Sequence, residues 1–206
     1  MPWISRSGPL TEIEMKNNAD IVISTYRRMG FNDNSIAAIL GNMQNESSIN
    51  PEREEVGGEG YGLVQWTPVT VLQNHCNTLG LSPYNNGDVQ LSVLPFEIKN
   101  ERGVGEWYTT EPFIEPYYES GATSDMIGIT GNQFLSNEMN WSPDKLAVLF
   151  MVAYERPTYD PSGNHWKSRA DDALTWLKYM GGVIPPTPTH NKKSIIPLMI
   201  CRCLNW

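Results

Sequence analysis

Apolar side chains recur at helical spacing along most of this chain. Ile36, Ile39, Leu40 and Met43 form one stripe of a helix predicted over 35–47, and Glu46 falls on that stripe, three residues past Met43 and seven past Ile39. Pro51 prevents the helix from continuing. Upstream, residues 11–29 predict a helix with a capping box at Thr11 and Glu14, buried candidates Ile13, Ile21 and Tyr26, and a stop at Gly30. Thr67-Pro68 caps and begins a third helix that buries Leu72, Cys76 and Leu79 and ends at Gly80. Residues 88–100 read as helical, with Pro95 expected to kink or break them. Ser142-Pro143-Asp144 is a helix start, and the run from Leu146 to Tyr154 is apolar all round, as a central buried helix would be, with Pro157 as its stop. A last helix over 168–180 turns Ala173, Leu174, Leu177 and Met180 inward and closes at Gly181-Gly182.

Two stretches break the helical pattern. Residues 52–66 mix acids and glycines and predict a turn with a short strand; residues 103–140 are irregular and aromatic, part helical and part an insertion over a cleft. Residues 1–182 are therefore expected to form one domain. Ile184-Pro-Pro-Thr-Pro188 opens a stiff linker into a short basic and apolar tail that completes 183–206.

Composition narrows the class. The 206 residues are 40% hydrophobic and 18% charged, as in an ordinary globular protein, and seven Trp with nine Tyr suit a dense core or a carbohydrate surface. The net charge of −8 argues against a nucleic-acid partner, which needs a cationic face, and against an anionic membrane surface. The tail's three cations, Lys192, Lys193 and Arg202, leave residues 1–182 at −11. The tail is expected to dock on the body or on a partner protein; so short a piece would anchor only weakly to a membrane. No basic stretch followed by a long apolar one marks a secretory signal, and no apolar run nears the about 18 residues of a membrane helix. Cys76, Cys201 and Cys203 form no disulfide framework and read as thiols of a reducing cytoplasm, with Cys76 packed on its helix. His75, His165 and His190 stand at no metal-ligand spacing, so neither a metal nor a cofactor is expected.

The candidate chemistry centres on Glu46. A carboxyl that loses water against an apolar stripe gains proton affinity, which is what a general acid working near neutral pH requires. Downstream, Gly60, Gly62, Gln65 and Trp66 form a turn where glycines admit close backbone approach and Gln and Trp suit sugar hydroxyls and sugar faces.

These residues carry a family resemblance. Gly41-Asn-Met-Gln-Asn-Glu-Ser-Ser-Ile-Asn-Pro51, Gly60-Tyr-Gly-Leu-Val-Gln-Trp-Thr-Pro68 and Tyr154-Glu-Arg-Pro157 together resemble the phage tail lysozyme family, itself similar to goose-type lysozymes and lytic transglycosylases. The resemblance covers roughly residues 10–182. It implies a lysozyme-like α+β fold, mainly α, with a small β-turn or hairpin region forming one wall of the cleft beside the catalytic helix. It also implies cleavage of the glycan strand of bacterial peptidoglycan, without a cofactor, by a phage particle opening the wall. Made in the host cytoplasm, such a protein would reside in the virion tail, with residues 183–206 available to other tail proteins. Glu46 takes the acid role. A facing carboxylate is sought among Glu52, Glu54, Glu55 and Glu59, with Glu59 favoured because it adjoins Gly60-Tyr61-Gly62. Gln65 would orient sugar or water, and Tyr61 or Trp66 would either stack on a ring or pack the domain. Tyr154 is similar to the Tyr of the Ala-Tyr-Asn motif of lytic transglycosylases, but Glu155 replaces the Asn and is expected to pair with Arg156. Hydrolase and transglycosylase outcomes both stay open, as do a host-lysis enzyme and a glycan-gripping virion component.

Overall fold

In the computed structural model, residues 2–157 and 164–183 are described. The linker and tail expected beyond residue 183 lie outside the described residues. The chain folds as a mainly helical domain around α2, Asp33–Ser47. Its stripe residues Ile36, Ile39, Leu40 and Met43 are fully buried, each contributing about 1.5–3 kcal/mol of transfer free energy. The Asn32 side chain accepts from Asn34 N (2.9 Å) and caps the helix; Ser48, left-handed at φ 58°, ends it.

Two other helices enclose α2. The first, α7 (Pro143–Phe150), continues into a π-helical turn at Met151–Glu155. The second is α8, Asn164–Tyr179. These three pack on one another as the core of the domain. α1, Glu12–Arg28, has the Thr11–Glu14 capping box and packs on α2 through Ala19, Val22, Ile23 and Tyr26. Ile13, expected inside, is 75% exposed, because the buried face of α1 runs one turn later than its first apolar residue.

α3 (Val69–Leu79) and α4 (Gly87–Ile98) pack together. No side chain caps α3; the Thr67 hydroxyl donates back to Gln65 O (2.9 Å) instead. Pro95 does not end α4. It lies in the last turns, where one missing N–H is offset by burial of Val93, Leu94 and Ile98.

The aromatic stretch is less of a cover and more of a core than expected. It contains α5 (Glu111–Ile114), 3₁₀ turns, and α6 (Gly131–Ser136). Trp107 is buried against Phe134 (4.9 Å between ring centroids) and Phe150 (6.5 Å), and its indole N–H donates to Ile129 O (2.8 Å).

Of the expected β-turn or hairpin region, the turns and two isolated bridges are present and a hairpin is not. Glu54 bridges Tyr61 and Tyr61 bridges Trp66, both antiparallel and both isolated. Gly57 (φ 79°), Gly62 (φ 80°) and Gln65 (φ 51°) turn the chain every few residues, so no run stays extended long enough to make a strand. The class is mainly α, with a bridged loop in place of the β element.

One contact sets the spacing of the core. A Cβ on Gly41 of α2 would stand 2.5 Å from Arg169 O and 2.8 Å from Ala173 N, both in the α8 backbone. Nothing flexible is there to yield. Gly41→Ala is expected to cost about 1–3 kcal/mol in urea unfolding. An unchanged unfolding midpoint would show that the helices do not meet so closely.

Candidate active site

Glu46 emerges from the last turn of α2 with its side chain 19% exposed. Its Oε1 accepts a hydrogen bond from Arg169 Nη2 on α8, and the Arg169 side chain is 6% exposed. Arg169 is set by Asn42, one turn before Glu46: Asn42 Oδ1 accepts from Arg169 Nη1 (3.0 Å), while its amide donates to Ala38 O (2.9 Å) and Ala147 O (3.1 Å). Asn42 thus ties α2, α7 and α8 together beside the carboxyl.

The residues after Glu46 hold the bridged loop against the helix. The Ser47 hydroxyl donates to Met43 O (3.0 Å) and Leu63 O (2.9 Å). Asn50 donates to Arg6 O (2.6 Å) and Gly8 O (2.8 Å), and accepts from Glu52 N (3.1 Å). Gln90 of α4 completes the clamp, donating to Pro51 O (2.8 Å) and accepting from Leu63 N (3.0 Å). A side chain at Gly62 would be strained at φ 80°, and its Cβ would also lie 2.7 Å from Gln90 Oε1. Ser47, Asn50 and Gly62 thus serve as scaffold for the loop beside Glu46.

Between helix and loop lies a cleft of about 410 Å³ lined by Glu46, Glu55, Gln65, Thr67, Glu155 and Pro157. Gln65, Thr67 and Glu155 also line an inner recess of about 170 Å³, together with Trp66, Glu106, Tyr154 and Arg156. Gln65 turns its amide nitrogen to Arg53 O (3.1 Å) and Gly62 O (3.0 Å), which fixes the loop at the cleft wall.

The loop acids separate. Glu59 is exposed and is not among the residues lining the cleft. Glu55 does line it, its Oε2 held by Gly60 N at 3.0 Å. Tyr61 also lies outside the lining, edge-on to Tyr84 with ring centroids 5.5 Å apart; burial first, then the nearby Glu52, pushes its hydroxyl pKa up to about 12.

Trp66 and Tyr154 border the inner recess but keep their rings almost wholly buried. Their polar ends meet on Glu97 of α4, which is fully buried. Glu97 accepts from Trp66 Nε1 (2.9 and 3.1 Å) and from the Tyr154 hydroxyl (2.5 Å), and pairs with His75 Nδ1 of α3 (2.6 Å). Of the two roles expected for Trp66, packing is the one this arrangement serves. Burial, then the charge and hydrogen bond of Glu97, raise the Tyr154 hydroxyl pKa well above its usual value.

Glu155 and Arg156 do not pair. The π turn (Arg156 N to Met151 O, 2.8 Å) inserts an extra residue and swings the two apart. Arg156 bonds Glu106 Oε2 (2.9 Å) and Glu106 O (2.6 Å) and lies 4.6 Å over the Tyr108 ring. Glu155 reaches the cleft with Oε1 shut from solvent and without a hydrogen-bond partner. Burial, then the negative charge of Glu46, raises its proton affinity well above the usual carboxyl range.

Sequence reasoning missed Arg169, Glu97 and the true setting of Glu155. One signal for Arg169 was available: it stands one turn before Ala173 on the inward face of α8. Glu97 carried a similar sign, next to the buried Ile98.

A buried helix that ends in a half-dry carboxyl, beside a cleft with two further carboxyls in its lining, is an arrangement suited to acid–base work on a bound polymer. Among the described residues, no helix is long and apolar enough to cross a membrane. The chain belongs to the phage tail lysozyme family, whose pattern matches residues 17–180. It is also similar to "Morphogenesis protein 1" of Bacillus phage B103, at 29% identity over 185 residues, which covers 87% of this chain and 44% of that relative. The chain therefore spans less than half the length of this relative.

Proposed function

We propose that this chain cuts the glycan strand of bacterial peptidoglycan by hydrolysis, at the β-1,4 bond from N-acetylmuramic acid to N-acetylglucosamine, with Glu46 as the general acid. The observation that carries this reading is the shared cleft: Glu46 on the helix wall and Glu55 on the loop wall line one groove. An inverting hydrolase needs such a pair, roughly 6.5–9.5 Å apart, so that water fits between the base and the sugar. In this reading Glu55 takes the proton of that water in place of Glu59; its support is that Glu55, exposed and tethered by Gly60 N, lines the cleft and Glu59 does not. Gln65 and Thr67 supply polar groups to the same wall. The family and the phage relative support a virion-associated protein that degrades the wall; attachment to other tail proteins through residues beyond 183 is part of the same proposal.

Mass spectrometry of fragments released from purified walls, with proton NMR of the first anomer formed, tests the reading. Reducing muramic ends of inverted configuration are expected. Anhydro ends would mean that a sugar hydroxyl attacked and that the chain is a lytic transglycosylase. Retained configuration would remove Glu55 as the base. Tight wall binding without fragments would make the chain a glycan-gripping component.

A further inference from the structure

Four aromatic side chains are exposed among the described residues, and three of them, Tyr108, Phe113 and Tyr118, stand within one short segment. Exposed rings forgo the free energy of burial, and a cluster of them marks a surface that a ligand or partner covers. The hydrolysis described above uses none of the three.

Two of the rings are ordered on one another and tied to the cleft. Tyr108 stacks on Phe113, with ring centroids 5.0 Å apart and planes 26° from parallel. The Arg156 guanidinium stands over the Tyr108 ring at 4.6 Å. The Tyr108 backbone N–H donates to Ala153 O of the π turn (3.0 Å), which fixes the ring's base. Further along, the Tyr117 hydroxyl donates to Pro157 O (2.7 Å). Arg156 lines the inner recess and Pro157 lines the cleft. The series Arg156, Tyr108, Phe113 therefore leads from the recess wall to open surface, and Phe113 is its outermost ring, 40% exposed.

Charge narrows what this surface takes. Residues 108–120 carry Glu111, Glu115 and Glu119 and no Lys or Arg. The charge of Arg156 is met by Glu106. A face of that sign repels anionic wall polymers and anionic lipid heads. It does not repel an uncharged pyranose ring, whose C–H face packs on an aromatic face while its hydroxyls stay in water.

We propose that Phe113, backed by Tyr108, forms a distal saccharide subsite for the uncharged rings of the glycan strand where it extends past the cleft. This rests on the reading that the cleft takes peptidoglycan glycan. A long strand reaches cleft and stack together, and its second contact is intramolecular once the first is made. A short fragment holds only one of them. The subsite thus gives the protein a preference for intact strands over the fragments it releases.

Equilibrium binding of peptide-free glycan strands, sorted by length, tests this in full-length Glu46→Gln, so that strands stay whole. Long strands are expected to bind at least about tenfold tighter than short ones, counted per disaccharide. Adding Phe113→Ser is expected to remove most of that difference. Adding Tyr179→Ser instead, an exposed ring on α8, is expected to leave it intact. Equal affinity for both lengths, or a preference that survives Phe113→Ser, would overturn the subsite; the second result is also what a patch made for a cationic protein partner would give. Equal loss in Tyr179→Ser would overturn it too, as a general effect of surface rings. A second measurement needs no change at Phe113. With ring-labelled phenylalanine, one of the five Phe signals is expected to shift with long strands and to stay still with short ones. Five unmoved signals would sink the proposal. Failure of the acid assignment shows separately, as strands shortened by Glu46→Gln itself.

Discussion

Glu46→Gln is expected to clear bacterial walls at least about 10²–10⁴-fold more slowly than wild type, the usual contribution of a positioned general acid. The substitution is nearly isosteric. Its amide oxygen can still accept from Arg169 Nη2, and Asn42 Oδ1 still holds Nη1 at 3.0 Å. What vanishes is the transferable proton. The competing explanation is that Glu46 exists to neutralise Arg169, whose guanidinium is nearly buried. That explanation predicts a different pair of results: a large fall in stability, since an uncompensated buried charge costs about 3–5 kcal/mol, with the rate per folded molecule unchanged. Turbidity loss and urea unfolding measured on the same preparation separate the two. Equal clearing by both proteins would take Glu46 out of the mechanism.

The largest loss of stability is expected elsewhere, from Glu97→Leu. Leucine fills a similar volume but accepts nothing, so the Trp66 indole N–H, the Tyr154 hydroxyl and His75 Nδ1 would all lose their shared acceptor. Breaking such a buried pair costs about 3–5 kcal/mol, a large share of the 5–15 kcal/mol that holds a typical domain together. Activity would fall with it, because Tyr154 and Trp66 line the recess beside the cleft. A change in unfolding free energy below about 1 kcal/mol would show the network to be dispensable.

His75 adds a pH signature to the same network. The hydrogen bond to Glu97 raises its pKa from the ordinary 6.5, against a smaller opposing effect of burial. The folded protein therefore holds this proton more tightly than the unfolded chain. The stabilisation is complete below the unfolded pKa of 6.5 and is lost as pH rises through the higher folded value. Unfolding free energy is expected to decline across that window, and the decline to disappear in His75→Gln.

Legibility of this protein followed the range of the interactions. The α2 stripe with Glu46 at its end was readable because helix periodicity is local: residues three, four and seven apart share a face whatever the rest of the chain does. The Thr11 capping box, the stop at Gly30 and the buried run from Leu146 to Tyr154 were readable for the same reason. The bridged loop was half legible. Its glycines announced turns, but only the positive φ of Gln65 and the two isolated bridges show that no strand forms. Glu155 was misread because the π turn changes which face it occupies, and the expected partner, Arg156, bonds Glu106 at 2.9 Å. Among the four loop acids nothing local distinguished Glu55 from Glu59; the distinction comes from which one the folded loop sets against α2.

By itself the sequence determined the helices, the buried stripe, the motifs that place the chain in its family, and the carboxyl that ends α2. Those follow from chain-neighbour spacing and from the few conformations that Gly and Pro allow or forbid. Tertiary structure alone decided the company that carboxyl keeps: Arg169 from α8, Glu155 from the π turn after α7, Glu55 from the loop, and Glu97 binding the wall behind them. Proton affinity depends on charges and solvent within a few ångströms, and residues more than a hundred positions apart supply them only once the chain has packed.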